Sequence, residues 1–205
     1  MQMPKEEPDA GSDSASARGV LYDCDRLDSP AKAKSASPPH MRRRGDGGSI
    51  FDELMQQVNA LKLGKTLTEA PAALRYLSDA IEDASGTAAE QLGARARASG
   101  ALHALVNLLE VDDHSVVEST LFVLANLSSD VVDSYACRTK NILVEAGAFE
   151  KVVPYLWSES ETMLYFAAGA VQNMCCSRTC AELLRHTGAE TRLLDLADSD
   201  SLPES

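Results

Sequence analysis

Aromatic side chains are scarce in this sequence: they make up 5% of 205 residues and include a single tryptophan, Trp157. A 44% hydrophobic content carried by Leu, Val and Ala with so few rings suits packed helices better than a β-sandwich. Hairpin punctuation is missing too, since no Asn-Gly or Asp-Gly pair flanked by alternating apolar residues occurs. Paired cysteines are absent as a framework: Cys24, Cys137, Cys175, Cys176 and Cys180 are odd in number, so full intrachain pairing is impossible and reduced thiols are expected. The opening Met1-Gln-Met-Pro-Lys-Glu-Glu lacks the apolar stretch of a secretory signal, and no run approaches the length of a membrane-crossing helix. These absences predict a soluble, intracellular protein, cytoplasmic or nuclear, with no membrane partner.

Basic charge is also in deficit, with a formal net charge of −12. The segment 1–48 holds eight Lys/Arg and eight Asp/Glu, so the rest of the chain carries the whole imbalance as 11 basic and 23 acidic side chains. A nucleic-acid surface needs a basic face, so this balance argues against a nucleic-acid partner. It favours a basic partner, although most such carboxylates simply solvate helix surfaces.

The segment 1–48 is rich in Ser, Pro, Gly, Ala and charge, with hardly any large apolar side chains. It cannot bury enough surface to offset the entropy of ordering and is read as a disordered tail. Ser29-Pro30 and Ser37-Pro38 fit phosphorylation sites and Arg42-Arg43-Arg44 fits part of a nuclear import signal, but such short patterns more often belong to a merely solvated linker. Order is predicted to begin at Ser49, an N-cap followed by acidic Asp52 and Glu53. Ile50, Phe51, Leu54, Met55, Val58 and Leu61 then recur at helical spacing, predicting an amphipathic leading helix over 49–64. A second helix is predicted from Thr68 to Asp83, with Leu74, Leu77 and Ile81 on one face.

The strongest signal is repetition. Gly100-Ala-Leu-His-Ala-Leu-Val-Asn-Leu-Leu109, Gly147-Ala-Phe-Glu-Lys-Val-Val-Pro-Tyr-Leu156 and Gly188-Ala-Glu-Thr-Arg-Leu-Leu-Asp-Leu-Ala197 each read Gly-Ala, three residues, then two aliphatics. The spacing of Gly100, Gly147 and Gly188 falls in the range of about 40–47 residues that marks a helical repeat. A second landmark keeps the same register: Asn126 follows Gly100 at the same separation as Asn173 follows Gly147. Glycine is expected to end a short first helix in a left-handed conformation, a second helix is then buried nearly all round, and a longer third helix follows. No unit covers its own apolar face, so the units must stack on one continuous core.

Val144-Glu-Ala-Gly147-Ala-Phe, the Gly100–Leu109 segment and Leu124-Ala-Asn126-Leu-Ser resemble the armadillo repeat of the β-catenin and importin-α superfamily. The likeness covers about residues 66–199: one leading third helix, two full repeats (about 87–130 and 131–177) and the first two helices of another (178–198), with 200–205 as a tail. It implies an all-α fold, a right-handed solenoid of three-helix repeats. In that family the third helices line a concave groove that holds an extended peptide, and the asparagine of the Leu-x-Asn-Leu/Ile motif bonds the peptide backbone. Carried over by motif, this implicates Asn126 and Asn173, Phe122 and Gly169 one turn earlier, Ser119 and Phe166 two turns earlier, and Tyr76 in the place of an asparagine. An amide both donates and accepts, so it can pair with any extended chain without reading its sequence, while neighbouring apolar residues supply anchoring area. Importin-α carries tryptophan four residues before each groove asparagine; Phe122 and Gly169 stand there instead, which argues against import-signal recognition. Pro154 falls inside a second helix and is expected to kink or tighten it.

No phosphate-binding loop, dinucleotide glycine pattern or nucleophile elbow occurs. Cys175-Cys176-Ser-Arg-Thr-Cys180 with His186 offers a metal-like spacing, but the cysteines straddle the turn between repeats and read as small buried residues, so no metal or cofactor is expected. His40, His103 and His114 are scattered. The predicted function is that of a non-catalytic binding module, adaptor or scaffold. The alternative is an assembly unit, because no third helix follows Leu196. That end is expected to be a fragment's edge, or one covered by a partner or a second copy.

Overall fold

The computed structural model describes residues 70–198. The predicted tail 1–48, the leading helix 49–64 and the segment 200–205 lie outside the described residues. Within them the chain is all-α, with nine α-helices, one 3-10 helix and no strand. Helix α1 spans Ala70–Asp83, and its predicted end at Asp83 is the observed one. Three units follow. The first is α2 (Thr87–Ser99), α3 (Ala101–Leu108) and α4 (His114–Leu127). The second is α5 (Ala136–Glu145), α6 (Ala148–Val152) running into a 3-10 helix (Val153–Trp157), and α7 (Glu161–Met174). The third contributes α8 (Arg178–Thr187) and α9 (Ala189–Asp198).

Local chemistry sets these boundaries. Gly100, Gly147 and Gly188 each separate a first from a second helix at φ 77°, 73° and 75°, the left-handed region predicted for them. Third helices start on side-chain caps: Asp113 accepts from the N–H groups of Ser115 and Val116, and Ser160 accepts from that of Met163. Pro154 acts as expected. It offers no N–H to the preceding turn, so α6 stops at Val152 and the chain continues as a tighter 3-10 helix.

The third helices stack in order, α4 along α1 and α7 along α4. Their burial patterns coincide. Ala70, Ala73, Leu74 and Leu77 of α1 are buried in the same register as Thr120, Val123, Leu124 and Leu127 of α4. Ala167, Ala170, Val171 and Met174 of α7 repeat that register once more. The second helices are stapled to one another by a recurring bond that uses different side chains. The Tyr155 hydroxyl donates to the Leu109 carbonyl at 2.5 Å, and Arg192 Nε donates to the Leu156 carbonyl at 3.0 Å. Leu109 and Leu156 stand at the same distance from Gly100 and Gly147, so the same orphan carbonyl at the end of each second helix is capped by the following unit. A buried ion pair joins the first two units: Asp133 is 1% exposed and meets Arg97 at 2.5 Å, and Arg97 also donates to Thr139 Oγ1 at 2.8 Å.

Candidate partner-binding face

The register of burial places the predicted residues on one surface. Tyr76 of α1, Asn126 of α4 and Asn173 of α7 occupy equivalent positions on three stacked helices, and Tyr76 is 45% exposed. Ser119, Phe122, Asn126, Phe166, Gly169 and Asn173 are all half-buried, open on one side and packed on the other. A helix position that is neither core nor fully solvated is the setting in which a side chain holds a fixed direction and stays within reach of a ligand.

The two asparagines are already engaged. Asn126 Nδ2 donates to the Phe122 carbonyl of its own helix at 2.9 Å. Asn173 Nδ2 donates across the repeat boundary to the Ala125 carbonyl, also at 2.9 Å. An amide group has two N–H donors and an acceptor oxygen. Each of these bonds uses one donor and fixes the orientation of the rest. The cross-repeat bond was not legible from motif spacing, because it depends on how closely α7 approaches α4.

That approach is close at Gly169. A Cβ placed on Gly169 would meet only the Ala125 methyl, at 4.0 Å, an ordinary van der Waals contact. Phe122 and Phe166 pack on each other across the same boundary, ring centroids 5.2 Å apart and inclined by 71°, an edge-to-face pair. Tyr165 extends the cluster, 5.6 Å from Phe166 and 71% exposed. Sequence reasoning did not single out Tyr165; it lies one residue before a predicted position, and its exposure follows from the face of α7 that the described array leaves uncovered. An open concavity of about 280 Å³ continues the surface from Tyr76 across Ala80, Ala84 and Leu92 to Arg95.

The thiol positions of the Cys175–Cys180 stretch follow the end of α7. Cys176 and Cys180 are buried at the α7–α8 junction and Cys175 is half-buried, whereas His186 is exposed on α8. Among the described residues no group of three or more His, Cys, Asp or Glu side chains converges to hold a metal ion. His103 is exposed on α3. No described helix is long and apolar enough to cross a membrane.

No protein-family model matches the chain, and comparison with curated proteins finds no match. Solved structures do match. A designed armadillo repeat protein aligns with a TM-score of 0.58 and 25% identity, and another, in complex with the peptide (KR)4, with 0.56 and 26%. A third, from computationally designed armadillo repeat proteins for modular peptide recognition, gives 0.59 and 25%. Each alignment covers 74% of this chain and 58% of the designed protein. With glycine-divided helix pairs, a stack of third helices in one register and these structural neighbours, the chain has an armadillo-like repeat fold.

Proposed function

We propose that the chain is a binding module that holds an extended segment of a partner protein along the α1–α4–α7 face. The observation that carries this reading is the shared register of Tyr76, Asn126 and Asn173 on three stacked helices, with Tyr76 exposed and both asparagines half-buried. The amide oxygen and second N–H of each asparagine are the groups that would pair with the partner's backbone. Phe122, Phe166 and Tyr165 supply apolar area beside them. A basic segment suits the site best: the chain carries −12, and Asp79, Glu118 and Glu161 put a carboxylate on each of the three helices. A designed neighbour's complex with (KR)4 is in keeping with that preference. The fold is one used as a repeat binding scaffold, and this reading gives the protein no catalytic step.

Gly169 provides the test. Gly169→Leu adds bulk where a Cβ meets only an ordinary contact, and it replaces a poor helix former by a good one, so the fold should survive. Fluorescence anisotropy with labelled basic, neutral and acidic extended peptides should show salt-sensitive binding of the basic set. The variant should lose that binding by tenfold or more, roughly the effect of about 1.4 kcal/mol. Equal affinity of wild type and variant would place binding elsewhere.

A second reading, assembly through the last repeat, rests on a different residue. Leu194 is 61% exposed, whereas Val106 and Val153, its counterparts by glycine register, are 1% and 4% exposed. An apolar position that is core in two units and open in the third invites a covering helix. Sedimentation that depends on concentration in the wild type and not in Leu194→Glu would favour this reading.

A further inference from the structure

The α7–α8 junction gathers three thiols in one short stretch: Cys175 closes α7, Cys176 precedes the Ser177 cap, and Cys180 sits in the first turn of α8. Their geometry is specific. The Met174 carbonyl accepts the Cys176 N–H at 2.8 Å and, while Cys180 is a thiol, its S–H at 3.7 Å, a contact that Cys180 gives up on ionising. Ser177 Oγ touches Cys180 twice, accepting from its N–H at 3.3 Å and lying 3.3 Å from its sulfur. Both cysteines are buried, Cys176 at 8% and Cys180 at 2% exposure, with Cys175 half-buried beside them. We propose that Cys176 and Cys180 are a redox-active dithiol that closes to an intramolecular disulfide under hydrogen peroxide, with Cys180 attacking first.

The chemistry balances in two steps. The Cys180 thiolate attacks a peroxide oxygen and breaks the O–O bond, giving a sulfenic acid and hydroxide. The Cys176 thiol then attacks the sulfenic sulfur and displaces its oxygen as water, its own proton going into that water, while the proton that Cys180 gave up on ionising turns the hydroxide into the second water. Two thiols lose two electrons and peroxide becomes two waters. Several features assign the first step to Cys180. It lies at a helix N-terminus, where partial positive charge favours a thiolate. Hydrogen bonds from Cys176 and Ser177 hold its thiol down at about 5 against burial, which acts in the opposite sense. The same hydrogen bond puts the Cys176 sulfur within reach of the attack. Cys175, by contrast, is pushed up by burial and by the charge of Cys180, so it stays a thiol. Burial limits access to a small oxidant, which is why peroxide rather than a bulky disulfide is the reagent. On the reading that the α1–α4–α7 face binds a partner, closure would brace the chain just beyond Asn173.

Arg178 lies between the two cysteines, so trypsin cuts between them and a disulfide leaves two peptides linked. The reduced full chain is treated with peroxide, its unreacted thiols are blocked with iodoacetamide, and the digest is read by tandem mass spectrometry. The expected product is a linked pair whose fragments join Cys176 to Cys180, with Cys175 alkylated. It should persist in Cys175→Ser and vanish in Cys176→Ser and Cys180→Ser. It should also form on the order of tenfold faster in the folded chain than in guanidinium, since the fold is what poises the thiolate. The fragment assignment in the wild type stands even if a variant fails to fold. All four described thiols emerging alkylated, a link through Cys175, or an equal rate in guanidinium would each overturn the proposal.

Discussion

Gly93 lies inside α2, where alanine would normally be the better residue by about 1 kcal/mol. The structure reverses that preference. A Cβ at Gly93 would stand 2.8 Å from Asp133 Cγ, closer still to Asp133 Oδ2, and 3.1 Å from Arg97 Nη1. None of these atoms is free to move. Asp133 is 1% exposed, bonds Arg97 through Oδ2 and accepts the Tyr135 N–H through Oδ1 at 2.8 Å, so its carboxylate is held from two sides. Gly93→Ala must therefore either compress this contact, at about 1–3 kcal/mol for an overpacked site, or turn Asp133 away and leave Arg97 without its buried partner, at about 3–5 kcal/mol. Setting the helix gain against these gives a net loss of roughly 0–2 kcal/mol along the cheaper path and roughly 2–4 kcal/mol along the dearer one. For an array of this size that is a fall in Tm of up to about 15 °C.

Thermal and urea unfolding followed by circular dichroism would measure it, and a double-mutant cycle locates the cause. Asp133→Ala alone should also destabilise, because it strands Arg97. In that background the obstacle is gone, so adding Gly93→Ala should be neutral or gain up to about 1 kcal/mol from helix propensity. If Gly93→Ala is stabilising in the wild-type background, or costs the same with and without Asp133, the steric reasoning is wrong.

Tyr155→Phe removes the bond to the Leu109 carbonyl and should cost about 1 kcal/mol in urea unfolding. Burial and the nearby Glu110 carboxylate raise the Tyr155 phenol above its ordinary 10.0. The unfolded chain therefore ionises first as pH rises past 10, and stability should fall in that alkaline range in the wild type and less in Tyr155→Phe. Asn173→Ala should cost about 1 kcal/mol by breaking the tie to Ala125, whereas Asn126→Ala, which loses only a bond within its own helix, should be close to neutral by the same assay. Gly147→Ala must hold φ 73° with a Cβ and should lose about 1–2 kcal/mol, read as a lower urea midpoint at unchanged slope.

Much of the fold was legible because it repeats. Gly100, Gly147 and Gly188 are required by backbone conformation, and a requirement that recurs once in every unit stands out in a sequence. Asn126 and Asn173 recur in the same register. What stayed hidden is what does not repeat. The Gly93–Asp133–Arg97 contact occurs at one boundary only, and Gly93 reads as an indifferent helix residue until Asp133 of the next unit is in place. The second-helix staple does repeat, yet its donor is Tyr155 in one unit and Arg192 in the next, so a shared function has no shared letter. Tyr165 escaped because a tyrosine among apolar helix residues looks like core; only the packing of α7 shows it turned outward.

On the proposed reading, these staples bear on binding as well as stability. In a solenoid each unit touches only its neighbours, so the spacing between ligand groups on successive units is set by whatever holds those units together. Asn173 serves both purposes at once: one N–H ties α7 to α4, and the rest of the same amide is proposed to meet the partner. The Phe122–Phe166 pair fixes the same boundary from the face itself. An extended peptide has a fixed rise per residue, so even a small change in the separation of α4 and α7 would move one asparagine out of register with the other. Loosening the boundary from behind the face, through Tyr155→Phe, should then weaken a long peptide that spans both asparagines more than a short one that reaches only Asn126. A change confined to global stability would weaken the two alike.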